Sequence, residues 1–295
     1  MASNPSGTAL ESISEDILQI FNDYPAVKYT NAAFLTILIY DYTLTINLEM
    51  NSVWTLPWKL PKFLFVINRY IVPPMLFFDG IYMDFYNTPS DMCQFVAKFS
   101  PWPTLVSLGT VEMILIIRTL AIYHEQRSIG LCLIGLFTVS MLSWFPASIV
   151  VAARTTGTSG TNIFTGCIFN AHGIVWPTWI PPVIVESTLC LMVAYKVLVQ
   201  VERIPTFQLL ARDSLIYFLL MFSLLLANLF IFRFGQGFLG ALLLVPSTIV
   251  ACISAGRMMM NLKSLSLAPG ATEFLDMGTI DWQADSNIIG ELISE

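Results

Sequence analysis

Apolar residues gather along this chain into long runs broken by short polar punctuation. A bilayer core about 30 Å thick requires about 20 helical residues to cross it. Seven runs reach that length, at residues 30–50, 63–83, 102–123, 129–152, 176–199, 212–233 and 238–260. The pattern therefore predicts an all-α fold, an integral membrane bundle of seven transmembrane helices. Trp54, Trp58, Trp102, Trp144, Trp176 and Trp179 fall near the run ends, as expected of aromatic belts at the two membrane interfaces. A soluble domain would need many long helices hydrophobic on every side, and a β-barrel would need period-2 alternation that the runs lack.

Outside these runs the pattern changes. Residues 8–21 place Leu10, Ile13, Ile17, Ile20 and Phe21 at helical spacing, with Thr8 and Glu11 spaced as a capping box. Residues 1–28 are thus expected to form an extracellular segment with a short amphipathic helix, acidic on its other face. The seven-helix domain occupies 29–263. Residues 264–295 hold six acids and no base, and read as a flexible acidic cytoplasmic tail.

Composition sharpens the membrane reading. Of 295 residues, 56% are hydrophobic and only 12% charged, about half the charge of an ordinary soluble domain. Ten of the twenty acids lie in residues 1–27 and 264–295, which leaves the middle nearly free of charge. Bases then orient the bundle. With the amino terminus outside, inner ends and loops collect ten of the fourteen bases, leaving Lys28, Lys98, Arg154 and Arg233 outside. The first 28 residues lack an apolar signal region, so the first helix itself is expected to start insertion. The plasma membrane is the expected location, with another endomembrane as the alternative.

Cysteines divide by predicted depth. Cys132, Cys190 and Cys252 fall within apolar helices, where cysteine is usually a small buried hydrophobe. Cys93 and Cys167 fall in outer loops, where an oxidising compartment would let them pair; two free thiols are the alternative.

The polar residues inside the runs are the candidate chemistry. Asp41, Thr45 and Glu49 are four apart and so stack on one face of the first helix. Counting ~1.5 Å per residue, Asp41 lies roughly 15 Å, and Arg69 on the antiparallel second helix roughly 12 Å, above the turn that joins them. Intramembrane charges face the bundle and pair, so these residues are expected to form a polar clamp, with Arg118 as the rival partner for either acid. Asp79, Glu112 and Glu186 are a candidate ligand or ion site. Two mid-membrane carboxylates on neighbouring helices could bind a cation, relay protons or hold a cationic ligand, or simply hydrogen-bond between helices.

Enzyme and cofactor motifs are missing. There are two histidines, no metal-ligand spacing and no nucleotide-binding or nucleophile-elbow motif. Helix seven has no mid-membrane lysine to carry retinal, since Lys263 lies at its end. No enzyme activity, cofactor or metal is expected, and a net charge of −6 without a basic patch argues against nucleic acid.

Tyr40-Asp41, Leu44-Thr45, Glu49, Val53-Trp54, Trp58, Leu64-Phe65 and Asn68-Arg69-Tyr70 together resemble the fungal membrane-protein family carrying domain of unknown function 6533. Arg118 to Tyr123, Arg212-Asp213 with Tyr217-Phe218, Asn228, and Arg257 with Asn261-Leu262 extend the likeness through most of the helical region. Leu48 stands where a charged residue is common in the family, and Pro61-Lys62 replaces a more usual small-residue turn. The resemblance implies a multi-pass membrane location and no established activity. Seven spans, an outside amino terminus and basic inner loops suggest receptor-like sensing, with an unknown small ligand toward the outer half and a cytoplasmic effector at the inner loops. Helix three lacks the acid-Arg-aromatic triplet of G-protein-coupled receptors, and helix seven lacks their Asn-Pro-x-x-Tyr. The alternatives are a transporter or channel using the intramembrane carboxylates, and a non-catalytic assembly or lipid-interacting protein whose partner is the bilayer itself.

Overall fold

The computed structural model describes residues 5–55, 58–82, 89–123, 126–159, 166–171, 175–199, 205–235 and 242–266, with side chains from Tyr24 to Met260 apart from short stretches. His124 and His172 lie outside the described residues, as does the expected acidic tail from Leu267 onward.

The first helix, α1, runs without a break from Pro5–Ser52. This corrects the expectation of a separate short helix over 8–21: the helix has already begun at Pro5, a residue whose missing N–H costs nothing in a first turn, so Thr8 is not its N-cap. The side chains of 8–21 lie outside the described ones. A short turn leads to α2 (Leu60–Val66), a π-helical turn (Ile67–Ile71) and α3 (Val72–Gly80), which together make one apolar rod. The next crossing begins earlier than residue 102. α4 (Ser90–Phe99) abuts α5 (Pro101–Ile122), because Pro101 at the first position of α5 donates no bond and needs none. α6 (Arg127–Arg154) follows, then the strands β1 (Thr155–Ser159) and β2 (Cys167–Ala171), a 3-10 turn (Trp176–Trp179) and α7 (Ile180–Val199). α8 (Pro205–Phe234) and α9 (Leu244–Ser266) complete the bundle.

Among the described residues, five helices are long and apolar enough to cross a membrane: Leu60–Gly80, Ser90–Ile122, Ser128–Arg154, Trp176–Val199 and Leu215–Phe234. Leu244–Met260 is a shorter apolar helix. α1 is not among the five, since Asp41, Asn47 and Glu49 dilute the apolar stretch they interrupt. The chain is an integral membrane protein that crosses the bilayer several times.

The main apolar cluster lies where α5, α6, α7, α8 and α9 meet, around Leu115, Leu133, Leu189, Phe218 and Ala255. A second joins α1, α3 and α9 through Leu38, Leu76 and Ile249. Many large apolar side chains instead face outward, among them Leu142, Leu191 and Leu198. That suits a protein whose solvent is lipid, where packing rather than water exclusion holds helices together.

Three expectations about surroundings are corrected. Trp144 and Trp179 turn into the bundle rather than toward lipid, and Trp179 stacks on Phe232 at 5.5 Å. Cys132 is exposed, because α6 buries little of its surface and that position faces out of the bundle. The cysteines placed in loops occupy regular structure, Cys93 on α4 and Cys167 on β2, and a disulfide joins them.

β1 and β2 form an antiparallel hairpin with Thr155 opposite Ala171 and Ser159 opposite Cys167, the one sheet among the described residues of a mostly helical chain. A lone two-stranded ribbon is marginal, and this one is fastened to α4. Besides the disulfide, the Gln94 side chain accepts from the Gly157 N–H at 2.8 Å and donates to the Thr155 carbonyl at 3.3 Å. At Gly157 an added Cβ would lie 2.3 Å from the Cys93 carbonyl oxygen. Gly157→Ala must therefore push the hairpin off α4, with an expected loss of about 1–3 kcal/mol, the usual cost of overpacking. Thermal unfolding of the purified protein in detergent checks this; an unchanged midpoint would mean the contact yields freely.

Candidate functional site

Two sites emerge at opposite ends of the bundle. At the end where α1 turns into α2, Asp41, Thr45 and Glu49 line one face of α1 and Arg69 inserts from the π-helical turn. Its guanidinium reaches all three. Nη1 donates to Asp41 Oδ2 at 3.1 Å, Nε donates to Glu49 Oε2 at 3.0 Å, and Nη2 donates to Thr45 Oγ1. Thr45 Oγ1 in turn donates to the Asp41 carbonyl at 2.6 Å. Arg69, Asp41 and Glu49 are all at most 3% exposed, so these charges depend on one another rather than on solvent.

Local sequence explains why Arg69 can do this. It sits in a π turn, a form common where a helix adapts to a special side chain. Pro73 and Pro74 stand four and five residues further on, where an α- or π-type bond to the Arg69 carbonyl would need an N–H that proline lacks. That carbonyl instead accepts from the Tyr42 hydroxyl, while the Tyr42 ring lies 3.9 Å from the guanidinium carbon. The adjacent Tyr70 hydroxyl donates to Glu49 Oε1.

A second cation joins from α9. Arg257 Nε donates to Asp41 Oδ1 at 2.8 Å with its side chain about half exposed. Spacing on α1 and α2 could not reveal this contact, and Arg257, three residues before the end of the last apolar run, stands out in the sequence only through the family likeness. Arg118, the rival partner, meets a different group: it donates through Nη2 to the Met258 carbonyl of α9, and the ion pairs of Asp41 and Glu49 are those with Arg69 and Arg257.

Above the clamp, Asn68 knits three segments. Its Nδ2 donates to the Cys252 carbonyl at 3.2 Å, and its Oδ1 accepts from Cys252 Sγ at 3.3 Å and Ser107 Oγ at 3.5 Å. The π turn, α5 and α9 thus share a polar joint beside the charged one.

The hairpin end holds a cavity of about 210 Å³. Helices throughout the bundle contribute to it: Asn31 from α1, Asp79 from α3, Thr104 from α5, Trp144 and Ser148 from α6, Thr178 and Trp179 from the start of the α7 segment, Phe232 from α8 and Val245 from α9. The hairpin adds Cys167 and Phe169. Asp79 is the only charged residue type among the described residues that line it, and Ser100 Oγ donates to Asp79 Oδ2 at 3.3 Å.

The structure therefore divides the candidate ligand or ion group. Asp79 belongs to the cavity, whereas Glu112 on α5 and Glu186 on α7 are not among its lining residues; both are buried in the packed bundle. Their helices are parallel neighbours that both start at the hairpin end, with Glu112 eleven residues past Pro101 and Glu186 ten past Trp176, which brings the two acids to similar depth. Among the described residues no group of three or more His, Cys, Asp or Glu side chains could hold a metal ion.

No curated protein matches the chain. A family model described as "Family of unknown function (DUF6533)" matches residues 29–74, a stretch that contains Asp41, Thr45, Glu49, the π turn and both prolines behind it, but not Arg257. The chain is a multi-pass membrane protein in which the segment similar to DUF6533 is the segment that supplies most of the charged clamp.

Proposed function

We propose that the protein is a receptor-like sensor of a small ligand. The observation that carries this reading is the cavity at the hairpin end, because its wall draws on helices throughout the bundle. A molecule bound there touches all of them at once, and can favour one arrangement of the bundle over another through its differential contacts. In this reading seven helices span the membrane, α1 and α9 included, with the amino terminus and the hairpin outside. The opposite end, where Arg257 is half exposed, faces the cytoplasm and a partner protein.

Cavity size and lining define the ligand class. About 210 Å³ exceeds the ~150 Å³ void that holds benzene and falls below the ~300–1,000 Å³ of drug-sized pockets. Most of the wall is apolar, with Asp79, Asn31, Thr104 and Ser148 as polar contacts. A compact apolar molecule with one cationic or hydrogen-bond-donating group fits that chemistry.

Thermal-shift binding of the purified protein to a panel of small lipophilic amines and their neutral and acidic isosteres tests the reading. Amines should bind best, Asp79→Asn should remove the preference for charge, and Ser148→Phe should remove binding by filling the cavity. Equal responses in wild type and the filled variant would refute it, as would substrate flux in proteoliposomes with no ligand-dependent recovery of a partner protein.

A further inference from the structure

The hydroxyls on the cavity wall have committed their protons inside the protein. Ser148 Oγ donates to the Trp144 carbonyl at 3.0 Å, Thr155 Oγ1 to the Val151 carbonyl at 2.8 Å and Thr178 Oγ1 to the Val175 carbonyl at 2.6 Å. Ser100 gives its proton to Asp79, and Thr104 shares one with Thr248 at 3.3 Å. What these groups keep toward the cavity they line is acceptor lone pairs.

Trp179 differs. It lines the same cavity, is 4% exposed, and its Nε1 has no acceptor among the described residues. An indole N–H is a donor and nothing else, and a buried tryptophan usually finds a partner for it, because a buried donor without one is costly. The ring is held in place. It stacks on Phe232, another wall residue, at 5.5 Å and 23°, and stands in the 3-10 turn directly before α7. The donor is therefore positioned before any ligand arrives, which lowers the cost of binding a group that completes it.

The rest of the wall decides what kind of acceptor that is. Asp79 is the charged residue type among the described lining residues, so no cation there offsets a carboxylate or a phosphate. A neutral oxygen meets no such penalty. We infer that Trp179 makes the cavity selective for a compact amine that also carries a neutral hydrogen-bond acceptor, an ether or ketone oxygen that takes the indole N–H while the amino group serves Asp79. This rests on the sensor reading of the cavity and adds a second point of recognition to it.

Titration calorimetry on the full-length protein in detergent tests this with four amines of nearly one shape: cyclohexylmethylamine and the three positional isomers of tetrahydropyranylmethylamine, in which one ring methylene is an ether oxygen. A site built to hydrogen-bond an oxygen rejects the analogue that lacks it. One isomer should bind wild type about tenfold more tightly than cyclohexylmethylamine, the factor for one neutral hydrogen bond. Trp179→Phe keeps a ring against Phe232 and removes the N–H, and in it that ratio should fall to about one. Should Trp179→Phe fail to fold, benzothienylalanine at position 179, with sulfur in place of the N–H, gives the same comparison. The inference is overturned if cyclohexylmethylamine binds wild type as tightly as every isomer, the result for an N–H served by water, or if the preference for oxygen survives loss of the N–H. Either result leaves the sensor reading standing, whereas binding of none of the four amines refutes that reading and this inference together.

Discussion

Replacing Arg69 with alanine is expected to destabilise the folded protein by about 3–5 kcal/mol, the range for breaking a buried ion pair from one side. The guanidinium is the common partner of Asp41, Thr45 and Glu49. Without it Glu49 keeps only the Tyr70 hydroxyl, and Asp41 keeps Arg257, which is half exposed and weakened by solvent. Lysine is no substitute. Asp41 and Glu49 are eight residues apart, roughly 12 Å along the helix axis, and Arg69 meets them through different nitrogens of a rigid fork, whereas an ammonium is a single point. Arg69→Lys should therefore lose most of what Arg69→Ala loses. The triple replacement Asp41→Asn, Glu49→Gln, Arg69→Met should recover much of the loss, because it removes the stranded charges together with their partner. Arg257→Gln should cost far less than Arg69→Ala. Chemical unfolding in detergent, with yield of folded protein as a second readout, measures this order. A loss as large for Arg257→Gln as for Arg69→Ala would show that the half-exposed arginine holds Asp41, and that the buried fork is secondary.

How much of this arrangement can be read from residues alone follows from the distances involved along the chain. A spacing of four puts Asp41, Thr45 and Glu49 on one face, and a short turn between antiparallel helices brings a base to matching depth. Both are local inferences, and the structure has those four side chains in contact. The Tyr42 contact has a readable signal as well, since Pro73-Pro74 leaves the Arg69 carbonyl without a helical donor. Arg257 is different. It meets Asp41 across 216 positions, and no periodicity states which two helices of a bundle are neighbours. The same lack explains the burial errors. Trp144 and Trp179 have the composition of lipid-facing interface residues but turn inward to line the cavity, and Cys132 has the composition of a buried residue but faces outward. Apolar runs report that a helix is in the membrane; which side of it faces protein is decided by partners that the run does not name.

Loss of the Cys93–Cys167 disulfide should be the second large effect. The bond closes a loop of 74 residues that includes α5, α6 and β1. On the chain-entropy account, loops of 15 and 100 residues gain about 3 and 4.7 kcal/mol, so about 4 kcal/mol is expected here, within the ~2–5 kcal/mol usual for removing a native bridge. The consequence is local as well as global. Cys167 and Phe169 of β2 and Thr155 of β1 form one wall of the cavity, and without the bridge the hairpin is held to α4 chiefly through Gln94. A double Cys93→Ser, Cys167→Ser variant should unfold at a lower temperature than oxidised wild type, and reduced wild type should fall to the variant's value. Binding of the small amines should weaken in the same samples, since an untethered hairpin no longer closes the site. A variant as stable as wild type would place the bridge among the dispensable contacts. Unchanged amine binding despite lower stability would separate the cavity from the hairpin, and with it the receptor-like reading from the element that covers the site. Disulfides persist on the oxidising side of a membrane, so a Ser159→Cys variant, at an exposed position of the hairpin, should label in intact cells with a membrane-impermeant maleimide. Labelling only after the membrane is opened would reverse the orientation and put the cavity on the cytoplasmic face.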